Sequence, residues 1–210
     1  LIDKKVSSEK YQKIIDAAVK VFSKKGFFNS KVADVAKEAN VADGTIYLYF
    51  KNKDDLLISI FEHSMDYFFH HTQDALKDIH CPREKLRKFI SLHLSLVQKN
   101  QNLAIVLQVE LRSSHKFMTE YKPDKFFQYL QIVEDIMLQG QKEGLFTDKI
   151  NPQIAKRVIF GAIDELALEW ILMRNKRYSI EEAAEQLFSI IYEGMKVAWL
   201  ILNSLMNKKL

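Results

Sequence analysis

Three prolines and six glycines are all that interrupt 210 residues, and this scarcity of backbone breakers most constrains the fold. Sheets need frequent turns, turns draw on Gly, Pro, Asn and Asp, and no run alternates apolar with polar as a strand would. Apolar residues instead recur at helical spacing throughout. The reading is an all-α chain of about nine helices. Ser8 caps the first, which carries Ile14, Ile15, Ala18, Val19 and Phe22 and stops at Gly26 after Lys24 and Lys25. Ser30 caps a second over 31–39 with Val32, Val35, Ala36 and Ala39 inward, and a third covers 43–50. Asn52 caps a fourth running to about Leu76, with Asp54 and Asp55 in its first turn. Further helices are expected at 83–99, 102–114, 123–143, 152–174 and 180–206, with breaks at Pro82, Asn100, Pro123, Gly144 and 175–179.

Charge divides the chain unevenly. Residues 1–53 hold eleven lysines, no arginine and six acids, a surplus of five positive charges, whereas the remaining 20 Lys+Arg and 21 Asp+Glu nearly cancel. A basic N-terminal quarter is what a polyanion-binding domain needs. Cys81 is the single cysteine, which excludes an internal disulfide framework and fits a reducing compartment. The opening LIDKKVSSEK does not resemble a signal peptide. The longest apolar stretch, 158–173, is broken by Asp164, Glu165 and Glu169, whereas a bilayer core needs about 20 mostly apolar residues. A soluble, cytoplasmic protein with no membrane association is expected.

The segment 32–53, VADVAKEANVADGTIYLYFKNK, is the most specific in the chain. Two short helical patterns meet at a tight turn. Ala36 is small where the helices should cross, and Asn40 tolerates the left-handed backbone such a turn demands. Val41 and Ile46 are placed to bury between the helices and Phe50 to anchor the end of the second. Thr45, Tyr47 and Tyr49 then face away, with Lys37, Lys51 and Lys53 flanking. Hydroxyls for base edges, a glycine for close approach and cations for phosphates are what a helix in a DNA major groove requires.

GTIYLYFKNKDDLL, preceded by VADVAKEANVAD, resembles the DNA-binding domain of the TetR family of bacterial one-component repressors, over about residues 9–57. The resemblance implies a helix-turn-helix DNA-binding domain over 1–53 and a helical ligand-binding and dimerisation domain over 54–210. It implies that Thr45 and Tyr47 touch bases or neighbouring phosphates and that Gly44 permits close backbone approach. Ser30, Tyr49 and Lys53 would hold phosphates, with Lys31 and Lys51 as helpers. Two positions depart from the family pattern. Asn40 stands for the usual glycine. Asp43 stands where a lysine or other polar residue is common, and would repel phosphate or accept from a cytosine amino group.

NLAIVLQVELRSS over 102–114 and RVIFGAIDE over 157–165 are similar to members of that family that repress fatty-acid degradation. This implies a repressor that leaves palindromic operator DNA when a long-chain acyl-coenzyme A (acyl-CoA) or fatty acid binds. Phe68, Phe69, Phe89, Leu92, Leu96, Leu103, Val106, Leu107, Phe126, Phe127, Leu130 and Phe160 could line an acyl pocket, although such stripes equally mark plain core. Arg112 and Arg157 could receive head-group phosphates or form ordinary surface ion pairs. On 180–206 the band Ala183, Leu187, Ile190, Ile191, Gly194, Val197, Ala198, Ile201, Leu202 and Leu205, paired with 152–174, suits a four-helix homodimer interface.

No P-loop, GxSxG or cysteine pair suggests an enzyme. His63, Asp66, His70, His71 and Asp74 share one helix, but without a ligand signature they read as an exposed polar face. Neither metal nor cofactor is expected. Two other readings remain open: a repressor answering another lipophile such as a drug, and a helical lipid carrier or enzyme.

Overall fold

The computed structural model describes residues 2–197. Ten helices account for its regular structure: α1 (Ile2–Lys25), α2 (Val32–Ala39), α3 (Asp43–Tyr47), α4 (Lys53–Leu76), α5 (Pro82–Lys99), α6 (101–113), α7 (His115–Thr119), α8 (Asp124–Lys142), α9 (Pro152–Leu172) and α10 (Ile180–Met195). The one extended pairing among the described residues is an antiparallel bridge, Phe146 to Lys196. The all-α reading therefore stands, with α7 as an added element that Ser114 caps by accepting the Phe117 N–H at 3.3 Å.

Packing gathers residues up to Asp66 with Asn100–Pro123 into one unit, and Tyr67–Lys99 with the described residues from Asp124 onward into another. This grouping runs through α4 and joins α6 and α7 to the N-terminal helices.

In the first unit α2 packs on α1 and α3 packs on α2, while α6 lies against α1. Their core is Ile14, Ala18 and Phe22 from α1, Val35 and Ala36 from α2, Ile46 from α3, and Phe50, Leu56 and Leu57 beyond it, all essentially without solvent exposure. Gly26 ends α1 in the left-handed region at φ 80°, and its N–H reaches the Phe22 carbonyl at 2.9 Å. Asn40 does the same for α2 at φ 51° and ψ 54°, with its N–H on the Lys37 carbonyl and the Val41 N–H on that of Ala36. The Asn40 expectation holds.

Several expected helix ends do not. The first helix is already formed at Ile2, so Ser8 lies within it rather than at its cap. Lys31, not Ser30, is the first flanking residue of α2, and the Asp34 carboxylate accepts the Lys31 N–H at 2.9 Å. Ser30 is buried and donates its hydroxyl to the Gly26 carbonyl at 2.7 Å. α3 closes at Tyr47 because the Tyr49 and Phe50 N–H groups both turn back to the Ile46 carbonyl. The last helix stops at Met195, where the chain turns extended to pair with 145–147; residues 198–206 of the expected band lie outside the described part. Asn52 caps α4 as expected, accepting the Asp55 N–H at 2.9 Å.

In the second unit α5 packs against α8, α9 and α10. His93 and Tyr129 are enclosed there, joined by a 2.9 Å hydrogen bond between Nδ1 and the phenol oxygen. Burial pushes the His93 pKa down to about 4 and the Tyr129 pKa up. Lys156 on α9 pairs with the buried Glu134 on α8. Gly140 gives up its side-chain space to the Phe146 ring: a Cβ on Gly140 would fall 2.1 Å from Phe146 Cδ2.

Candidate nucleic-acid interface

α3 has five residues and buries one of them, Ile46. The next apolar residue that needs a core, Phe50, comes four positions on, where one helical turn returns to the same side. The first two residues between are left outward: Tyr47 is 57 % exposed and Leu48 is 81 % exposed. Thr45 is half-buried, and Asp43 and Gly44 are exposed at the start of the helix. Nothing lies within 4 Å of a Cβ placed on Gly44, and its backbone is not left-handed. No contact inside the chain requires glycine there.

Tyr49 is half-buried, its ring 6.2 Å from that of Tyr11 and edge-on to it. Lys31, Lys37 and Lys51 are exposed. The acids of α2 pair with lysines of α1: Lys25 bonds Asp34 at 2.7 Å and Lys20 pairs with Glu38. These hydrogen bonds hold both carboxyl pKa values below their ordinary range. Lys31, Lys37 and Lys51 stay exposed, although the Asp34 carboxylate held by Lys25 also attracts the Lys31 charge.

Two sequence-derived residues are placed otherwise. Lys53 turns inward, donating to the carbonyls of Phe27 (2.7 Å), Ser30 (3.0 Å) and, at longer range, Phe28 (3.4 Å), with its ammonium 4.4 Å from the Phe27 ring centroid. An ammonium has three donors, and this geometry engages them within the chain. Ser30 is likewise engaged and buried. Both side chains thus hold the loop before α2 through its backbone carbonyls. Leu48 is the residue that sequence reasoning passed over. Its signal was present: Ile46, Leu48 and Phe50 are spaced by two, and a helix cannot bury all three on one side.

A short helix presenting hydroxyls, a bare glycine backbone and flanking cations, held by a second helix across a left-handed turn, defines a helix-turn-helix DNA-binding protein. The chain belongs to the TetR family: the description "Bacterial regulatory proteins, tetR family" matches residues 14–60 and "YsiA-like protein, C-terminal region" matches residues 61–194. It is 38 % identical to the fatty acid metabolism regulator protein of Bacillus subtilis (strain 168) over 186 residues, 89 % of this chain and 95 % of that one. Its fold matches the crystal structure of the transcriptional regulator FadR from Bacillus subtilis in complex with stearoyl-CoA, with a TM-score of 0.81, covering 88 % of this chain and 98 % of that one. The fatty acid degradation regulator FadR from Bacillus halodurans gives a TM-score of 0.82 at 33 % identity, over 88 % and 95 % of the two chains. The family is one of transcriptional regulators, not enzymes, and its members bind DNA and act as dimers.

The residues expected to meet an effector fall in both packing units. In the first, Val106 is fully buried, Leu103 and Leu107 are half-buried, and Arg112 is exposed. In the second, Phe89 and Leu130 have no exposed surface and Leu96 almost none, so they pack as core. Phe126 and Phe160 are half-buried in edge-to-face contact at 4.9 Å, and Phe160 also meets His93. Phe127 is 45 % exposed and lies under the exposed Arg157, whose guanidinium is 5.3 Å from its ring centroid. Among the described residues, no group of three or more His, Cys, Asp or Glu converges as metal ligands, and no helix is long and apolar enough to cross a membrane.

Proposed function

We propose that this chain is a dimeric repressor of fatty-acid degradation genes, released from a palindromic operator by long-chain acyl-CoA. The observation that carries the reading is the 38 % identity, over nearly the whole of both chains, to a fatty acid metabolism regulator whose structure holds stearoyl-CoA. The DNA-binding domain is 1–53 and the remainder serves ligand binding and dimerisation. Thr45 and Tyr47 read bases or adjacent phosphates, Gly44 admits the DNA backbone, and Tyr49, Lys31 and Lys51 hold phosphates. Leu48 is placed to meet a thymine methyl group, the apolar feature of the major groove.

The dimer forms through the last two helices. Ile154, Val158 and Leu172 on α9 and Ile190 on α10 are large apolar residues, each more than 60 % exposed. Gly161 and Gly194 share that exposure and admit close helix approach. A twofold pairing presents two recognition helices to a palindrome, with half-sites about 34–36 Å apart or a multiple of it. The effector acts by differential affinity for the DNA-competent and released forms, and each tenfold loss of operator affinity requires about 1.4 kcal/mol of it.

The test is fluorescence anisotropy of a palindromic operator fragment from a fatty-acid degradation promoter, titrated with stearoyl-CoA and separately with stearate. Release by the thioester alone identifies an acyl-CoA sensor, with Arg112→Ala and Arg157→Ala as the next variants. Tight operator binding unmoved by either lipid would remove the fatty-acid reading and leave a repressor answering another lipophile.

A further inference from the structure

α6 is not a regular helix. Gln101–Ile105 is α-helical, Val106–Glu110 closes as a π-helical turn, and Leu111–Ser113 resumes the α form. A π turn holds an extra residue, so the residues beyond it are rotated by about 100° relative to an uninterrupted α-helix. Glu110 closes that turn, and its carboxylate reaches the loop between α1 and α2. Its Oε2 accepts the Phe27 N–H at 2.6 Å, and both carboxylate oxygens lie within 3.8 Å of where a Cβ on Gly26 would stand. From the opposite end of the same residue, Lys53 on α4 holds the Phe27 carbonyl at 2.7 Å. The Phe27 residue is thus gripped at its N–H by α6 and at its C=O by α4. Four residues beyond Glu110, the Ser114 hydroxyl donates to Asp54 at 3.2 Å, tying the end of α6 to the first turn of α4.

The plainer reading is that Glu110 simply satisfies a loop N–H just beyond the end of α1. The π turn argues for more. The carboxylate that bridges 83 residues of sequence to this loop comes from the last residue of the π turn, so its placement is tied to the irregular register of α6. The loop it grips sets how α2 leaves α1, and α3 packs on α2.

We infer that Glu110 is the positioning residue through which α6 governs the DNA-binding helices. Its bond to Phe27 is made in the operator-binding arrangement and broken when an effector on α6 lets the π turn relax to α. The effector half of this statement rests on the ligand-released repressor reading; the positioning half does not.

The experiment compares full-length wild type with Glu110→Gln, Glu110→Asp and Glu110→Met, by operator anisotropy and by hydrogen exchange at the 26–31 amides. Gln keeps an acceptor at the same reach and should bind operator within about threefold of wild type. Asp keeps the charge but is one methylene short, and Met keeps the length without a strong acceptor. Both should weaken operator binding about tenfold, equal to about 1.4 kcal/mol, with faster exchange at Phe27 and unchanged far-UV circular dichroism. Should one of the two fail to fold, the other carries the test. Wild-type affinity in Asp and Met, or a loss in Gln as large as in Asp, overturns the assignment. Stearoyl-CoA should also accelerate Phe27 exchange in wild type; operator release without that change overturns the coupling. If stearoyl-CoA neither releases operator nor alters exchange, the effector reading falls, while the Gln, Asp and Met ranking still decides the role of Glu110.

Discussion

Lys53 directs its ammonium at the carbonyl oxygens of Phe27, Phe28 and Ser30 and places it over the Phe27 ring. Hydrogen bonds to a charged group contribute roughly 1.5–3 kcal/mol. Lys53→Met keeps the stem and removes the donors, so it should cost about 2 kcal/mol and lower Tm by several degrees, read by thermal denaturation. An unchanged Tm would return Lys53 to the phosphate ligands. His93 makes a second prediction at this scale. Burial lowers its folded pKa to about 4 from 6.5, so folding favours the neutral ring. That stability is fully present above pH 6.5, declines as pH falls through the window from 6.5 to 4, and is gone below it. The loss is on the order of 3 kcal/mol. His93→Gln should flatten the acid limb of the stability profile in that window, measured by urea unfolding at pH 7, 5.5 and 4.5; parallel profiles would sink the account.

Helices here are decided at their ends and at their closest approaches. Gly140 sits where α8 meets the Phe146 ring, and a methyl group there would lie 2.1 Å from a ring carbon. Gly140→Ala raises intrinsic helix propensity by about 1 kcal/mol, yet overpacking typically costs about 1–3 kcal/mol. A Cβ position so far inside contact distance puts the cost at the upper end. Net destabilisation is expected, relieved by Phe146→Leu in a double-mutant cycle under urea denaturation; additive effects would show the ring is not the obstacle. Asn40 holds its left-handed turn without glycine, so Asn40→Ala should cost about 1 kcal/mol or somewhat more and Asn40→Gly little or nothing.

At the scale of the molecule, large apolar side chains stand exposed along α9 and at Ile190 of α10. Large apolar side chains left in water on neighbouring helices suit an interaction face. Val158→Asp should convert a dimer to a monomer by light scattering and weaken operator binding far more than removing any single phosphate ligand would. A dimer that survives both Val158→Asp and Ile190→Asp would place the interface elsewhere. Lys31→Ala and Lys51→Ala should instead weaken all DNA sequences alike, each lowering the slope of log affinity against log salt by about 0.9 for every phosphate no longer neutralised.

The sequence by itself determined the all-α class, because few breakers and a helical apolar period admit little else. It also determined the helix-turn-helix, since Ala36, Asn40, Ile46 and Phe50 carry their structural roles within one short segment, while Val41 is only half-buried. What it could not determine were the partners of long polar side chains. Lys53 is one turn away from being a phosphate ligand or a loop clasp, and only the position of Phe27 in space, 26 residues distant, selects the second. Ser30 and Glu110 are alike in this: a hydroxyl or a carboxylate suits many acceptors and donors, so its use depends on which backbone group tertiary packing leaves nearby. The π turn in α6 belongs to the same class, because an apolar period cannot register one extra residue in a single turn. Local periodicity is written in residue type and spacing, whereas the pairing of distant polar groups is settled only when the core brings them together.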